Sequence, residues 1–181
     1  GHEAGIVDLV LADTTVDDVD KYIQRHRIKI AGIGCMTCEF PDALAEAKRL
    51  KDTHPGIQVV FGGAHPSGDP AECLKTGVVD YVIAGEGEIA LAALMNGLEA
   101  GQNIENIPGV WSINEGQVKE NIPADVPFIE ELPEPALDMI DINAYFKLDS
   151  PWHFPKSPRA VQFISSRGCP YHCSYCHTIH G

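Results

Sequence analysis

Two hydrophobic periods alternate along the first hundred residues, and this alternation limits the possible folds more than any other feature of the chain. Apolar runs at 5–12, 28–34, 56–63 and 79–85 predict strands, and the segments 14–27, 40–54, 69–77 and 87–101 carry helical patterns. Strands that alternate with helices through short connections are typical of a parallel sheet covered on both faces. The sequence therefore predicts an α/β, doubly wound domain of the Rossmann-like or flavodoxin-like kind.

The ends of the predicted helices carry recognisable signals. Thr14 or Thr15 is a candidate N-cap for the first helix, and Pro41 lies near the start of the second. Gly77 is placed to end the third helix. These signals support the alternation independently of hydrophobicity.

The pattern changes after residue 101. Residues 107–123 predict a two-stranded hairpin that turns at Asn114-Glu115-Gly116. The proline-rich, acidic stretch 124–158 predicts an extended linker with one helical turn near 138–146, and 159–168 returns to strand character. The predicted organisation is thus a domain at residues 1–123, a linker at 124–158, and the start of a further domain at 159–181.

Charge and cysteine content exclude some classes of function. The formal net charge is −13, and so acidic a surface repels nucleic acid. No apolar run reaches the length of a membrane span, and we expect no signal peptide. The six cysteines lack the setting of a secreted disulfide scaffold, so we expect a reducing, cytoplasmic location.

Glycine-containing loops follow three of the predicted strands, at 34–40, 62–70 and 85–88. The carboxyl ends of parallel strands share one edge of a sheet, where ligands bind in doubly wound folds. Glycines there let a ligand approach the backbone. The alternative is that each loop is only a turn. Three loops at one edge favour a ligand site, although none matches a P-loop or a G-x-G-x-x-G fingerprint.

Two further candidates lie in these loops. Cys35 and Cys38 form a C-x-x-C pair that is compatible with redox chemistry or half of a metal site, although simple packing is the favoured interpretation. His65 could donate to a phosphate or bind a metal, and the alternative is a loop histidine that bonds to the backbone.

A cluster of three cysteines, Cys169, Cys173 and Cys176, stands near the end of the sequence. Three thiolates can hold three irons of a [4Fe–4S] cluster and leave the fourth iron open to a small molecule. Tyr175 is placed to shield such a cluster or a bound cofactor. The alternative is a zinc site that combines Cys173 and Cys176 with His172, His177 or His180, but the spacing is unlike that of a paired zinc ribbon.

The segment "SRGCPYHCSYC" resembles the C-x3-C-x2-C signature of the radical S-adenosylmethionine (SAM) enzymes. The upstream segments "GIGCMTCEFPDALAEAKRLK", "VVFGGAHPS" and "VDYVIAGEGE" resemble the N-terminal cobalamin-binding domain of the B12-dependent branch of that family. Among its members, the anaerobic magnesium-protoporphyrin IX monomethyl ester cyclases are the group that these segments resemble.

The resemblance implies three cofactors: a [4Fe–4S] cluster, SAM and cobalamin. The cluster on the three cysteines would hold SAM, and one-electron reduction would cleave SAM to methionine and a 5′-deoxyadenosyl radical, which abstracts hydrogen from the substrate. Tyr175 would lie near the cluster and SAM. The resemblance places cobalamin over the strand ends, against Cys35, Met36, Thr37, Gly62, Gly63, His65, Gly85, Glu86 and Gly87.

The resemblance also implies partners and a reaction class. The substrate would be a small molecule, with a porphyrin as the candidate for an oxidative cyclisation, and an external protein or reagent would donate one electron. Methyl transfer to another substrate is the alternative reaction. From other classes, the alternatives are a non-catalytic α/β binding module with a zinc-bound tail and a flavodoxin-like carrier.

Two departures from the family pattern predict that the chain is a fragment. The first strand and helix of the cobalamin-binding domain are expected to be missing, as is most of the radical SAM barrel after its first strand. We therefore expect the chain alone to be inactive and its cysteine loop to be metal-free. The Asp-x-His-x-x-Gly motif that supplies an axial histidine in other cobalamin proteins is absent from the sequence.

Overall fold

The structure is a computed structural model that describes residues 2–9, 11, 14–147, 159, 166–168, 171, 173 and 174. The chain separates into two compact units. One unit contains residues 1–27 and 129–166, and the other contains residues 28–128 and 167–181. The domain boundaries predicted from the sequence, at 123 and 158, stay a prediction.

The second unit is built on a five-stranded sheet. Its strands, in spatial order, are β1 (Ile30–Gly34), β2 (Gln58–Gly62), β3 (Tyr81–Ile83), β4 (Val110–Asn114) and β5 (Gln117–Lys119). The first three strands are parallel, and β4 and β5 extend the sheet with antiparallel pairing. β1 and β5 are therefore the two edges of the described sheet. The predicted hairpin is confirmed, and it belongs to the sheet instead of standing apart from it.

Helices connect the strands of this unit. They are α2 (Phe40–Thr53), α3 (Ala64–Gly68), α4 (Pro70–Lys75) and α5 (Gly87–Ala100). Pro41 lies in the first turn of α2, and Gly101 ends α5 in the left-handed conformation. Asp69 caps α4 by accepting a hydrogen bond from the Glu72 amide at 2.9 Å.

Two apolar clusters show that helices cover both faces of the sheet. Val59 and Phe61 of β2 pack in a cluster with residues of α2 and α4, whereas Val60 packs in a cluster with residues of α5. Successive residues of a strand point to opposite faces, so β2 supplies both cores. The predicted doubly wound α/β architecture is confirmed.

The turn of the hairpin follows from its two central residues. Asn114 pairs with Gln117, and Glu115 and Gly116 between them have φ of 48° and 77°. Two consecutive positive φ angles are typical of a type I′ turn, whose twist matches that of the strands it joins. The predicted turn position is thus confirmed.

The first unit contains α1 (Val16–His26), 3₁₀ turns at Ile129–Glu131 and Leu137–Met139, and α6 (Ile142–Tyr145). Thr15 caps α1 in a reciprocal arrangement with Asp18, which confirms one of the two predicted caps. The helical turn predicted near 138–146 is confirmed by α6. Among the described helices, the longest have 14 residues, and none has the length and hydropathy that a membrane crossing requires.

The strand predicted at 5–12 is wrong for the residues that the structure describes. Residues 5–9 and 11 lie outside any strand, and Ile6 and Leu9 are about half exposed. An apolar run indicates a preference for burial, but a strand also needs a neighbour to accept its hydrogen bonds. In the strand predicted at 159–168, residues 160–165 lie outside the described part of the chain.

Helix α5 supplies a direct test of the second core. Leu94 is fully buried there, whereas Leu91 of the same helix is 42% exposed. We expect Leu94→Ala to lower the free energy of unfolding by about 2–5 kcal/mol, because it leaves a cavity between α5 and the sheet. Leu91→Ala, the matched control, should change it by less than about 0.5 kcal/mol. Urea unfolding measures both, and equal effects would contradict the assignment of this core.

Candidate functional site

The carboxyl ends of the three parallel strands lie at one edge of the sheet. Gly34 at the end of β1 pairs with Gly62 at the end of β2, and Phe61 pairs with Val82 of β3. The segments that follow these strands therefore emerge side by side. We call residues 35–39, 63–65 and 84–87 together the rim.

Main-chain hydrogen bonds join the first two segments of the rim. The Cys35 amide donates to the Gly62 carbonyl at 3.1 Å, and the Cys35 carbonyl accepts from the His65 amide at 3.2 Å. A further hydrogen bond lies within the first segment, where the Met36 amide donates to the Glu39 carboxylate at 2.9 Å. The backbone of this part of the rim is thus held by its own hydrogen bonds.

Gly63 makes that contact possible. Its φ is +96°, and a Cβ atom placed on it would lie 3.1 Å from the Cys35 carbonyl oxygen and 3.2 Å from the Cys35 amide nitrogen. Both neighbouring atoms are backbone atoms that cannot swing away. Only glycine therefore fits where the two segments cross without shifting the backbone.

A serine of α3, the helical turn that continues from the second segment, contacts the third segment of the rim. The Ser67 hydroxyl accepts a hydrogen bond from the Gly85 amide at 3.0 Å. Gly85 itself has a φ of +84°, a left-handed conformation that glycine adopts without strain. Ser67 was not predicted from the sequence, although its place in a glycine-rich stretch after a strand is a signal for such a role.

The structure corrects the prediction that residues 62–70 form a loop, because Ala64–Gly68 are the helical turn α3. His65 therefore lies on a helix. Its ring contacts that of Phe40 at a centroid distance of 4.0 Å, its Nε2 lies 3.7 Å from a Glu72 carboxylate oxygen, and its side chain is 11% exposed. The bond that His65 makes across the rim comes from its main-chain amide.

The cysteines of the C-x-x-C pair have different environments. Cys35 is buried in the apolar cluster that also contains Cys73, whereas Cys38 is exposed, and both are free thiols. Burial raises the pKa of the Cys35 thiol, and the nearby Glu39 carboxylate adds to the effect. Packing, the interpretation favoured from the sequence, agrees with the position of Cys35.

Open space lies above the ends of β1 and β2. A Cβ atom on Gly34 would meet only the Gly62 carbonyl oxygen, at 3.8 Å, and one on Gly62 would meet only the Ile83 carbonyl oxygen, at 3.9 Å. Met36 beside them is 55% exposed, and Thr37 is exposed as well. A broad, flat ligand could therefore approach the strand ends closely, with the exposed methionine as an apolar contact.

An arginine from the C-terminal part of the chain reaches the third segment of the rim. The two terminal nitrogens of the Arg167 guanidinium contact different acids: one pairs with the Glu86 carboxylate, and the other lies 2.7 Å from a Glu88 carboxylate oxygen. The Glu86 side chain is only 7% exposed. In the sequence, Arg167 is recognisable only as part of a motif, and nothing there predicts these partners.

Most residues of the predicted cluster site are outside the part of the chain that the structure describes. Cys169, Cys176 and Tyr175 are outside the described residues, and so are His172, His177 and His180 of the zinc alternative. Cys173 is described, and it is an exposed free thiol. Among the described residues, no three histidine, cysteine, aspartate or glutamate side chains come together as a metal site would require.

A protein family and several known proteins match the part of the chain that contains the rim. The B12 binding domain family matches residues 1–95. An uncharacterized methyltransferase of Pyrococcus horikoshii is 30% identical over 97% of this chain and 37% of its own length. An anaerobic magnesium-protoporphyrin IX monomethyl ester cyclase of Synechocystis sp. is 25% identical over 97% of this chain and 34% of its own. The chain thus spans about a third of the length of these curated relatives.

Among solved structures, a cobalamin-dependent SAM radical enzyme, OxsB, determined with aqua-cobalamin bound, has the same fold. The TM-score is 0.58 at 23% sequence identity, over 70% of this chain and 18% of the other. The resemblance to B12-dependent radical SAM enzymes that the sequence predicts is confirmed by these relatives.

The thiol environments give a test of the local structure. Burial raises the pKa of the Cys73 thiol to about 12, with smaller contributions from Cys35, Glu72 and Asp69. At about pH 8 we expect iodoacetamide to label Cys38 and Cys173 well before Cys35 and Cys73, because thiolates react and buried thiols stay protonated. Raising the pH towards 12 should speed the labelling of Cys73.

Peptide mapping by mass spectrometry measures the labelling at each site. Denatured protein is the control, because iodoacetamide should reach all of its cysteines equally well. Equal rates at Cys38 and Cys73 in the folded protein would contradict the burial described above.

Proposed function

The chain belongs to the B12-binding domain family, and we propose that its rim binds cobalamin. The observation that carries the proposal is the open space over Gly34 and Gly62, beside a rim backbone that its own hydrogen bonds hold in place. A corrin ring is broad and flat, and glycines at the strand ends give it room next to the backbone. The match of residues 1–95 to the family supports the same conclusion.

The rim residues would contribute in different ways. Gly62 at the end of β2 and the rim glycines Gly63, Gly85 and Gly87 would give close access to the backbone, and Met36 and Thr37 would offer exposed side chains. Cys35 would act through its main chain, because its thiol lies in the core. The His65 ring packs against Phe40, so we assign it no bond to cobalt and propose that His65 supports the rim through its amide.

We further propose that Cys169, Cys173 and Cys176 hold a [4Fe–4S] cluster that binds SAM, with Tyr175 beside them. The resemblance of this segment to the radical SAM signature and the relatives named above support the proposal. When bound, the cluster would supply the electron that cleaves SAM. That electron requires an external donor, in keeping with a protein of the reducing cytoplasm.

The proposed reaction of the whole protein is radical chemistry on a small molecule. Oxidative cyclisation of magnesium-protoporphyrin IX monomethyl ester is one candidate, and similarity to the Synechocystis cyclase supports it. Methyl transfer is the second candidate, and the 30% identity to the Pyrococcus protein favours it. Both candidates use the same rim and the same cysteine triad.

Cobalamin binding is the first test. We expect hydroxocobalamin to bind the protein with a measurable dissociation constant, and Gly62→Val to weaken binding by roughly tenfold or more, because the larger side chain fills the space over β2. Gly32→Val is the control, since Gly32 lies two residues before the end of β1 and a Cβ atom placed on it would meet no atom within 4 Å. Equilibrium dialysis measures all three proteins, and failure of the unmodified protein to bind would refute the proposal.

Iron binding is the second test. After anaerobic reconstitution of the whole protein with iron and sulfide, we expect the charge-transfer absorbance of a [4Fe–4S] cluster, and we expect Cys173→Ala to abolish it, because two thiolates cannot hold the cluster stably. Cys38→Ala is the matched control, as Cys38 is the other exposed free cysteine among the described residues. Stoichiometric zinc without iron would instead favour the zinc-tailed module.

A further inference from the structure

Arg167 holds two carboxylates that are distant from it in sequence. Its partners Glu86 and Glu88 lie 81 and 79 residues earlier, at the start of α5. The Arg167 side chain is 25% exposed and that of Glu86 only 7%. Ion pairs in such partly buried places are screened less by salt than pairs on the open surface.

The shape of the guanidinium explains why an arginine stands here. Its nitrogens form a planar fork, so two of them can each donate to a separate carboxylate. A lysine has one ammonium group on a flexible stem and would hold two separate acids less firmly. The two ion pairs therefore fix the direction of the Arg167 side chain and the position of its positive charge.

The residues that follow Arg167 connect this contact to the cysteine triad. Gly168 has a φ of +73°, a turn conformation that glycine adopts without strain, and Cys169 follows directly. The chain is thus anchored at residue 167 and turned at residue 168. Glu86, its anchor, belongs to the rim.

We propose that Arg167 is a positioning residue that fixes the start of the cysteine loop against the rim, and so sets where the metal cluster stands relative to the cofactor on the rim. The inference rests on the proposed function for the identity of both cofactors. Two reactive groups that must act on one substrate have to be held in register, and a displacement of about 1 Å can slow a reaction roughly a hundredfold. The clamp formed by Arg167, Glu86 and Glu88 would supply that register.

Trypsin tests the clamp without any cofactor, because it must capture the guanidinium before it cuts after Arg167. We expect the double variant Glu86→Gln/Glu88→Gln to raise the cleavage rate after Arg167 by roughly tenfold, measured against cleavage after the exposed Lys147 in the same digest. The matched control is Glu46→Gln, which removes a partner of Arg49 within helix α2. Cleavage after Lys51, half-buried in α2, reports any general unfolding of this unit.

An unchanged ratio of cleavage at Arg167 to cleavage at Lys147 would overturn the clamp. A rise at Arg167 that is matched at Lys51 would also overturn it, because the domain as a whole would then have opened. A rise confined to Arg167 supports it.

Pulsed electron paramagnetic resonance tests the positioning itself, in the whole protein loaded with cob(II)alamin and a reduced cluster. We expect the cluster to enhance the relaxation of the cobalt spin in the unmodified protein, Arg167→Ala to change that enhancement, and Arg167→Lys to give an intermediate value. Arg49→Ala should leave it unchanged. If both cofactors bind and Arg167→Ala behaves as the unmodified protein, the positioning role is wrong. If the unmodified protein binds neither cofactor, the proposed function fails, while the trypsin ratio still decides whether the clamp exists.

Discussion

The crossing of two backbone segments at the ends of β1 and β2 is the contact on which the rim depends. Cys35 donates to Gly62 and accepts from His65, and the absence of a side chain on Gly63 lets these atoms meet. Main-chain hydrogen bonds of this kind do not vary with side-chain rotamers. The rim therefore takes its shape from the sheet, and any ligand that binds there finds the site already formed.

The two apolar clusters support different parts of the rim. One packs α2 and α4 against the sheet and also buries Cys35, so the first rim segment is anchored from below. The other packs α5 against Val60, Ile83 and Val110 and so fixes the helix that begins with Glu86 and Gly87 at its N-terminal end. The first and third segments of the rim are thus each held by a separate apolar core. This explains how short loops can keep defined positions at an exposed edge of the sheet.

Signals that act over a few residues were readable from the sequence. Thr15 with Asp18, Pro41 at the start of α2 and the Glu115-Gly116 turn each contain the atoms that make the local structure. The strand predicted at 5–12 failed because a strand depends on a partner that its own sequence does not specify. The pairing of Arg167 with Glu86 was unreadable for the same reason, as nothing local brings together residues 81 positions apart.

The position of β1 at one edge of the described sheet has a consequence for how that edge is protected. An edge strand offers a row of main-chain groups to whatever lies beside it, and other proteins protect such edges with lysine, proline or bulges. The sequence of β1, Ile-Ala-Gly-Ile-Gly, has none of the protective residues, and its glycines leave little side-chain bulk in the way. Within the described sheet, β1 is therefore the edge with the least side-chain protection against the addition of another strand.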